Sequence, residues 1–167
     1  MKFFTVSFAG STVTIGFDTP EARNHLSLLF KDVSAGPETE HQQVRLALLF
    51  DKDRNEYLLH DGNTLLHRGP LGVQFAAQLY DTVIFHLLNK AETGIALHAG
   101  GLTCNSRTLL LPGQSGAGKS TLTAWLTSRQ YAYLTDELIF ISMAASEQVD
   151  YFRRPLCLKT GSAKLIE

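Results

Sequence analysis

Residues 107–121 read Arg-Thr-Leu-Leu-Leu-Pro-Gly-Gln-Ser-Gly-Ala-Gly-Lys-Ser-Thr. Within them Gly113, Gln114, Ser115, Gly116, Ala117, Gly118, Lys119 and Ser120 fit the pattern G-x-x-x-x-G-K-[ST] at every fixed position. Glycines tolerate the tight turns that point successive backbone N–H groups into one concavity, and the helix that follows turns its positive end to the same place. A phosphate chain suits such a concavity. Lys119 would reach the β- and γ-phosphates, and the Ser120 hydroxyl would ligate Mg²⁺.

The flanks agree with this reading. Thr108 to Leu111, closed by Pro112-Gly113, predicts a buried strand. Leu122, Trp125 and Leu126 fall at i, i+3 and i+4, which predicts a helix with one apolar face and Trp125 as its core anchor. The bland alternative, a glycine-rich turn that only caps a helix, is disfavoured by this strand–loop–helix context.

The 167 residues suit one domain, or one domain with a small appendage, and can bury a real core. Fifteen basic residues against sixteen acidic ones leave no electrostatic footprint for nucleic acid or an anionic membrane. Cys104 and Cys157 lack C-x-x-C spacing, so neither a disulfide scaffold nor a zinc site is expected. The opening MKFFTVSFAGSTVTIGF is broken by polar residues and does not read as a signal peptide. No apolar stretch is long enough to span a bilayer. A reducing, cytoplasmic setting, where ATP is available, fits these features.

Ahead of the loop, residues 1–70 read as a β-rich N-terminal part. Strands are expected at Lys2 to Ala9, Thr12 to Phe17, Val44 to Phe50, Glu56 to His60 and Thr64 to His67, with Asp61-Gly62-Asn63 as a turn. Thr19-Pro20 signals the start of a short helix reaching about Phe30 and burying Leu26, Leu29 and Phe30. Ser34 to Glu40 is a polar loop. His60 and His67 flank a turn but lack further ligands for a metal. Leu71 to Lys90 is helical, with Phe75, Ala76, Leu79, Val83 and Leu87 on one side and His86 at its margin. Residues 71–167 are then assigned to the second part, which carries the loop.

Ile95 to Cys104 predicts a strand joined to the one before the loop by Asn105-Ser106-Arg107. So short a connection makes the two an antiparallel hairpin, where an ordinary nucleotide-binding βαβ unit brings a helical crossover. After the loop helix comes Tyr131-Ala132-Tyr133-Leu134-Thr135-Asp136-Glu137, then a strand from Leu138 to Met143. Adjacent carboxylates at a strand end are where phosphate-loop proteins often hold Mg²⁺ and accept a hydroxyl proton. Taken alone, the same pair also suits a solvated strand start.

His98, the loop 113–120 and Thr135-Asp136-Glu137 together resemble the catalytic domain of HPr kinase/phosphorylase and its HPr-kinase-like relatives. The resemblance covers roughly residues 95–162. It implies an α/β fold with a mixed sheet around the loop helix, of the phosphoenolpyruvate carboxykinase and HPr kinase type, preceded by the β-rich part. It also implies roles. Gly113 to Gly118 would wrap the phosphates of ATP, Lys119 would neutralise the β/γ charge, and Thr121 would support the α-phosphate. Asp136 would be the general base, and His98 would sit near the γ-phosphate. Ser120, Asp136 and Glu137 would serve Mg²⁺, with Glu137 standing where the family has a second aspartate. The family forms hexamers, so a homo-oligomer belongs to what the resemblance implies.

Two departures stand out. After Ser162 the family's later strands and helices and its substrate-binding arginine have no counterpart, so either a C-terminally truncated domain or a minimal relative is expected. The glutamate that follows the loop serine in HPr kinases is Thr121 here, which argues against HPr itself as the acceptor. Arg153, Arg154 and Lys159 could clamp the transferring phosphoryl group or be surface charges.

The functional expectation is an ATP-dependent kinase. It would pass the γ-phosphate of Mg·ATP to a hydroxyl, serine first, on a protein, peptide or small molecule. The alternative is an ATP-binding regulatory or accessory protein without phosphotransfer. A carboxykinase-type enzyme would need a carboxylate-binding arginine set and a second metal site, neither of which is readable. No residue outside the loop region selects protein over metabolite or ATP over GTP.

Overall fold

The computed structural model describes residues 1–34, 45–91, 93–144, 149–153 and 156. Arg154, Cys157 and Lys159 lie outside the described residues, as does the expected polar loop beyond Ser34. The described part is a mixed α/β structure dominated by strands, with two five-stranded sheets and three α-helices. Its contacts divide the chain into two compact units, Met1–Glu92 and Thr93–Glu167.

In the first unit five strands follow one another in both sequence and space: β1 (Lys2–Phe8), β2 (Ser11–Phe17), β3 (Leu46–Asp51), β4 (Glu56–Asp61) and β5 (Thr64–Gly69). Ala9 and Gly10 take positive φ, 50° and 72°, and close the β1–β2 hairpin in two residues. β2 and β3 pair in parallel, and the connection between them carries α1 (Pro20–Phe30). α1 starts as expected. Thr19 caps it by accepting a 3.1 Å hydrogen bond from Ala22 N, and Pro20 takes the first helical position. Its buried residues are Ala22, Leu26 and Phe30, whereas Leu29 is half-buried.

α2 (Val73–Asn89) lies against β1, β2 and β5. Phe75, Leu79, Val83 and Leu87 are all fully buried, one helical stripe of the kind the spacing predicts. This packing makes α2 part of the first unit, so the division falls after residue 92 and not after residue 70. His86 is buried rather than marginal, because Asp61 holds its Nε2 at 2.8 Å while Arg45 Nε lies 3.0 Å from the other carboxylate oxygen. Leu59 opposes His67 and Leu65 opposes His60, so the two histidines face opposite sides of the sheet and cannot share a metal.

The second unit is built on one long strand, β6 (Gly94–Cys104). β7 (Arg107–Pro112) pairs along one edge of its second half. Asn105 and Ser106, with φ of 50° and 59°, form the two-residue turn, so the predicted hairpin is present. On the other edge β8 (Ala132–Thr135) pairs with the second half and β9 (Leu138–Ser142) with the first. β10 (Val149–Phe152) adds outside β9. Every pairing here is antiparallel. The mixed sheet expected around the loop helix is therefore found in the other unit. β7 is also less buried than its apolar run suggests: among the described residues it pairs only with β6, and Leu109 is 38% exposed.

One prediction concerns the first unit. The ring of His25 packs edge-on against Phe75, its Nε2 is buried without a hydrogen-bond partner, and burial pushes its pKa below the usual 6.5. Between the lowered folded value and 6.5, the unfolded chain binds the proton that the folded chain refuses. Stability is therefore full above 6.5 and falls as the pH drops below it. Thermal unfolding of wild type and His25→Leu between pH 5 and about 7.5 checks this: the His25 variant should lose part of the acid-side decline.

Candidate functional site

The loop 113–118 leaves the end of β7 and runs into α3 (Lys119–Thr127). Gly116 and Gly118 have φ of 85° and 86°, the left-handed region, and Gly118 is the residue that caps α3. A Cβ at either position would meet nothing within 4 Å, so their glycine identity answers a backbone requirement and not crowding. The chain turns back on itself through a hydrogen bond from Ala117 N to Gln114 O at 3.2 Å. Lys119 is buried, and its Nζ donates to the carbonyls of Gly113 (2.8 Å) and Gln114 (3.0 Å), spanning the loop from inside. Ser120 and Thr121 follow in the first turn of α3.

α3 does not pack as its apolar residues suggest. Its buried residues are Lys119, Thr123 and Ala124, while Leu122 is 44% and Trp125 38% exposed. The reason lies in β6. A Cβ on Gly100 would come within 2.4 Å of Thr123 Oγ1, so the helix rests almost on the strand backbone. Small side chains make that contact, and the large ones are turned outward. Trp125 is thus no core anchor; the Arg129 guanidinium covers it, 4.6 Å from the ring centroid.

The same glycine locates the carboxylates. Pairing of His98 with Leu138 and of Gly101 with Thr135 continues across the gap, placing Asp136 opposite Gly100 and Glu137 opposite Ala99. Ala99 N donates to Glu137 O at 3.2 Å, in keeping with that register. Opposed residues of an antiparallel pair share a face. Asp136 therefore lies on the face of β6 that α3 covers, and it is buried. His98, two residues before Gly100, shares that face, and its neighbour Ala99 opposes Pro112 at the start of the loop. The register thus sets His98 and Asp136 on the strand face that α3 covers, and sets Pro112, which leads into the loop, beside Ala99.

Hydroxyl groups fix the Asp136-Glu137 junction. Tyr133 Oη donates to Asp136 Oδ1 at 3.0 Å. Thr135 Oγ1 accepts from Glu137 N at 3.1 Å and donates to the carbonyl of Phe152 on β10 at 2.7 Å. Tyr133 is not prominent in the sequence, because its contact with Asp136 depends on a strand irregularity that no local pattern announces. Glu137 Oε1 lies 3.4 Å from His98 Nδ1, so this carboxylate faces the histidine. No group of three or more His, Cys, Asp or Glu side chains able to hold a metal occurs among the described residues. A Mg²⁺ site here would rest on Ser120, Asp136 and phosphate oxygens together.

Arg153 lies apart from the loop in its contacts. Its guanidinium stacks on Tyr151, 4.9 Å from the ring centroid, and donates to Tyr151 Oη at 2.8 Å. Two surface cavities also lie elsewhere. One, of about 600 Å³, is lined by Cys104, Arg107 and Tyr131 at the far end of the β6–β7 hairpin. The other, of about 290 Å³, is lined by His67, Arg68 and Phe75 where β5 leads into α2. No described helix is long and apolar enough to cross a membrane. No family model, curated protein or solved structure matches the chain.

The close seat of α3 on β6 is testable. Gly100→Ala should destabilise the second unit by about 1–3 kcal/mol through overpacking against the buried Thr123. Adding Thr123→Ala, which removes the clashing oxygen, should recover much of the loss. Urea unfolding of the two single variants and the double variant measures this; additive losses would show that the strand–helix contact is not the cause.

Proposed function

We propose that this chain is an ATP-dependent kinase of HPr-kinase-like type, passing the γ-phosphate of Mg·ATP to a hydroxyl, serine first, on a protein, peptide or small molecule. The observation that carries the reading is a left-handed glycine loop with a buried lysine at the start of α3, together with a buried carboxylate on the strand face that α3 covers. The donor set suits a triphosphate. Open space over Gly116 and Gly118 leaves the loop backbone accessible, and the helix N-terminus and the Lys119 ammonium add positive charge.

Bound there, Mg²⁺ would supply charge neutralisation across the β- and γ-phosphate oxygens. The chain's own residues do the rest. Loop N–H groups hold the phosphates, and Lys119 exchanges its two loop carbonyls for phosphate oxygens, its charge serving the transition state. The acceptor hydroxyl gives its proton to Asp136 as its oxygen bonds to the γ-phosphorus. The bond from that phosphorus to the β–γ bridging oxygen breaks, and ADP departs with the electron pair. His98, whose Nδ1 lies 3.4 Å from Glu137 Oε1, is the polar group that the resemblance sets near the γ-phosphate.

A second reading is an ATP-binding regulatory or accessory protein without transfer. It is favoured by Glu137, which faces His98 where the kinases carry a second aspartate. Two variants separate the readings. Lys119→Ala should abolish saturable Mg·ATP binding in calorimetric titration. Asp136→Asn should retain saturable Mg·ATP binding yet lose about 10²-fold or more in phosphate transfer, the usual worth of a general base. Wild-type binding with no transfer to any acceptor in a peptide and metabolite screen selects the second reading.

A further inference from the structure

We infer that Tyr133 is a positioning residue: with a one-residue bulge in β8, it aims the Asp136 carboxylate at the loop. This rests on the reading of Asp136 as the group that meets the acceptor hydroxyl. In a regular strand, residues three apart face opposite sides of the sheet. Tyr133 and Asp136 are three apart and yet share a hydrogen bond of 3.0 Å.

The register explains how. Tyr133 opposes Leu102, but Thr135 opposes Gly101, so Leu134 is an extra residue in β8. The insertion shifts the alternation by one position. Without it, Tyr133 on the face of Leu102 would be followed by an Asp136 on the opposite face, away from α3. With it, Asp136 comes opposite Gly100, on the same side as Tyr133 and Thr123. Bulges recur next to active sites, where they re-aim a side chain.

Once turned, the carboxylate and the backbone beside it are held by two hydroxyl groups. Tyr133 Oη donates to Oδ1. Thr135 pins the backbone on either side, accepting from Glu137 N and donating to Phe152 O. The phenol never contacts phosphate or acceptor in this scheme; it acts through Asp136.

The test uses the full chain as wild type and Tyr133→Phe, which keeps the ring and removes only the hydroxyl. Three quantities are read at one pH: Mg·ATP affinity by calorimetry, ADP formation in a single turnover with water as acceptor, and the carboxyl resonance of ¹³C-labelled Asp136, assigned by its loss in Asp136→Asn. The expected result is Mg·ATP affinity within about threefold of wild type, turnover reduced roughly 10- to 100-fold, and a shifted or broadened Asp136 resonance. An unmoved resonance, or undiminished turnover, overturns the inference. If wild type binds no Mg·ATP while the resonance still moves in Tyr133→Phe, the positioning contact stands and the kinase reading fails.

Discussion

The distance between α3 and β6 is the constraint on which the loop region depends. A helix normally stands about 10 Å from a sheet because side chains fill the gap. Here Gly100 contributes none and Thr123 and Ala124 little, so the helix axis is drawn towards the strand. The loop that connects β7 to α3 must then turn within a few residues. Left-handed backbone at Gly116 and Gly118 makes that turn. Replacing Gly100 therefore acts on the loop through the helix, although the two are not neighbours in sequence. The outward Leu122 and Trp125 follow from the same economy of space: the core under α3 has no room for them.

A second constraint is the shared edge of β6. β8 and β9 are two halves of one antiparallel run, interrupted at Asp136-Glu137 opposite Gly100 and Ala99. The interruption falls opposite Gly100, where β6 carries no side chain. Burial of that carboxylate would be costly without partners, and the phenol of Tyr133 is one. The hydroxyls of Tyr133 and Thr135 thus do for the acidic junction what the glycines do for the loop: they make an otherwise unfavourable local geometry hold.

Much of this was legible in the sequence, and what was not has identifiable causes. The loop, its flanking strand and helix, and the hairpin before it follow from glycine, proline and apolar spacing, all local signals. So do α1 with its Thr19-Pro20 start and the buried stripe of α2. Trp125 was misread because apolar periodicity reports which helix residues share a face, not which face the sheet takes. The sheet chose the small-residue face through Gly100, twenty-three residues away in the chain from Thr123. The boundary after residue 92 depends on α2 folding back over β1, β2 and β5, a tertiary fact. The Tyr133 contact was invisible because period-two reasoning puts residues 133 and 136 on opposite faces, and only the bulge at Leu134 brings them together.

The central claim is that the glycine loop, Lys119 and Asp136 surround one transferable phosphate. A crystal structure of the chain with Mg²⁺ and a non-hydrolysable ATP analogue tests it most directly. The account predicts the triphosphate wrapped by the loop 113–118, Lys119 Nζ moved from the carbonyls of Gly113 and Gln114 to phosphate oxygens, and the γ-phosphate facing Asp136. A nucleotide bound elsewhere, or one in the loop with its γ-phosphate turned away from Asp136 and Lys119 still on its two carbonyls, would contradict it.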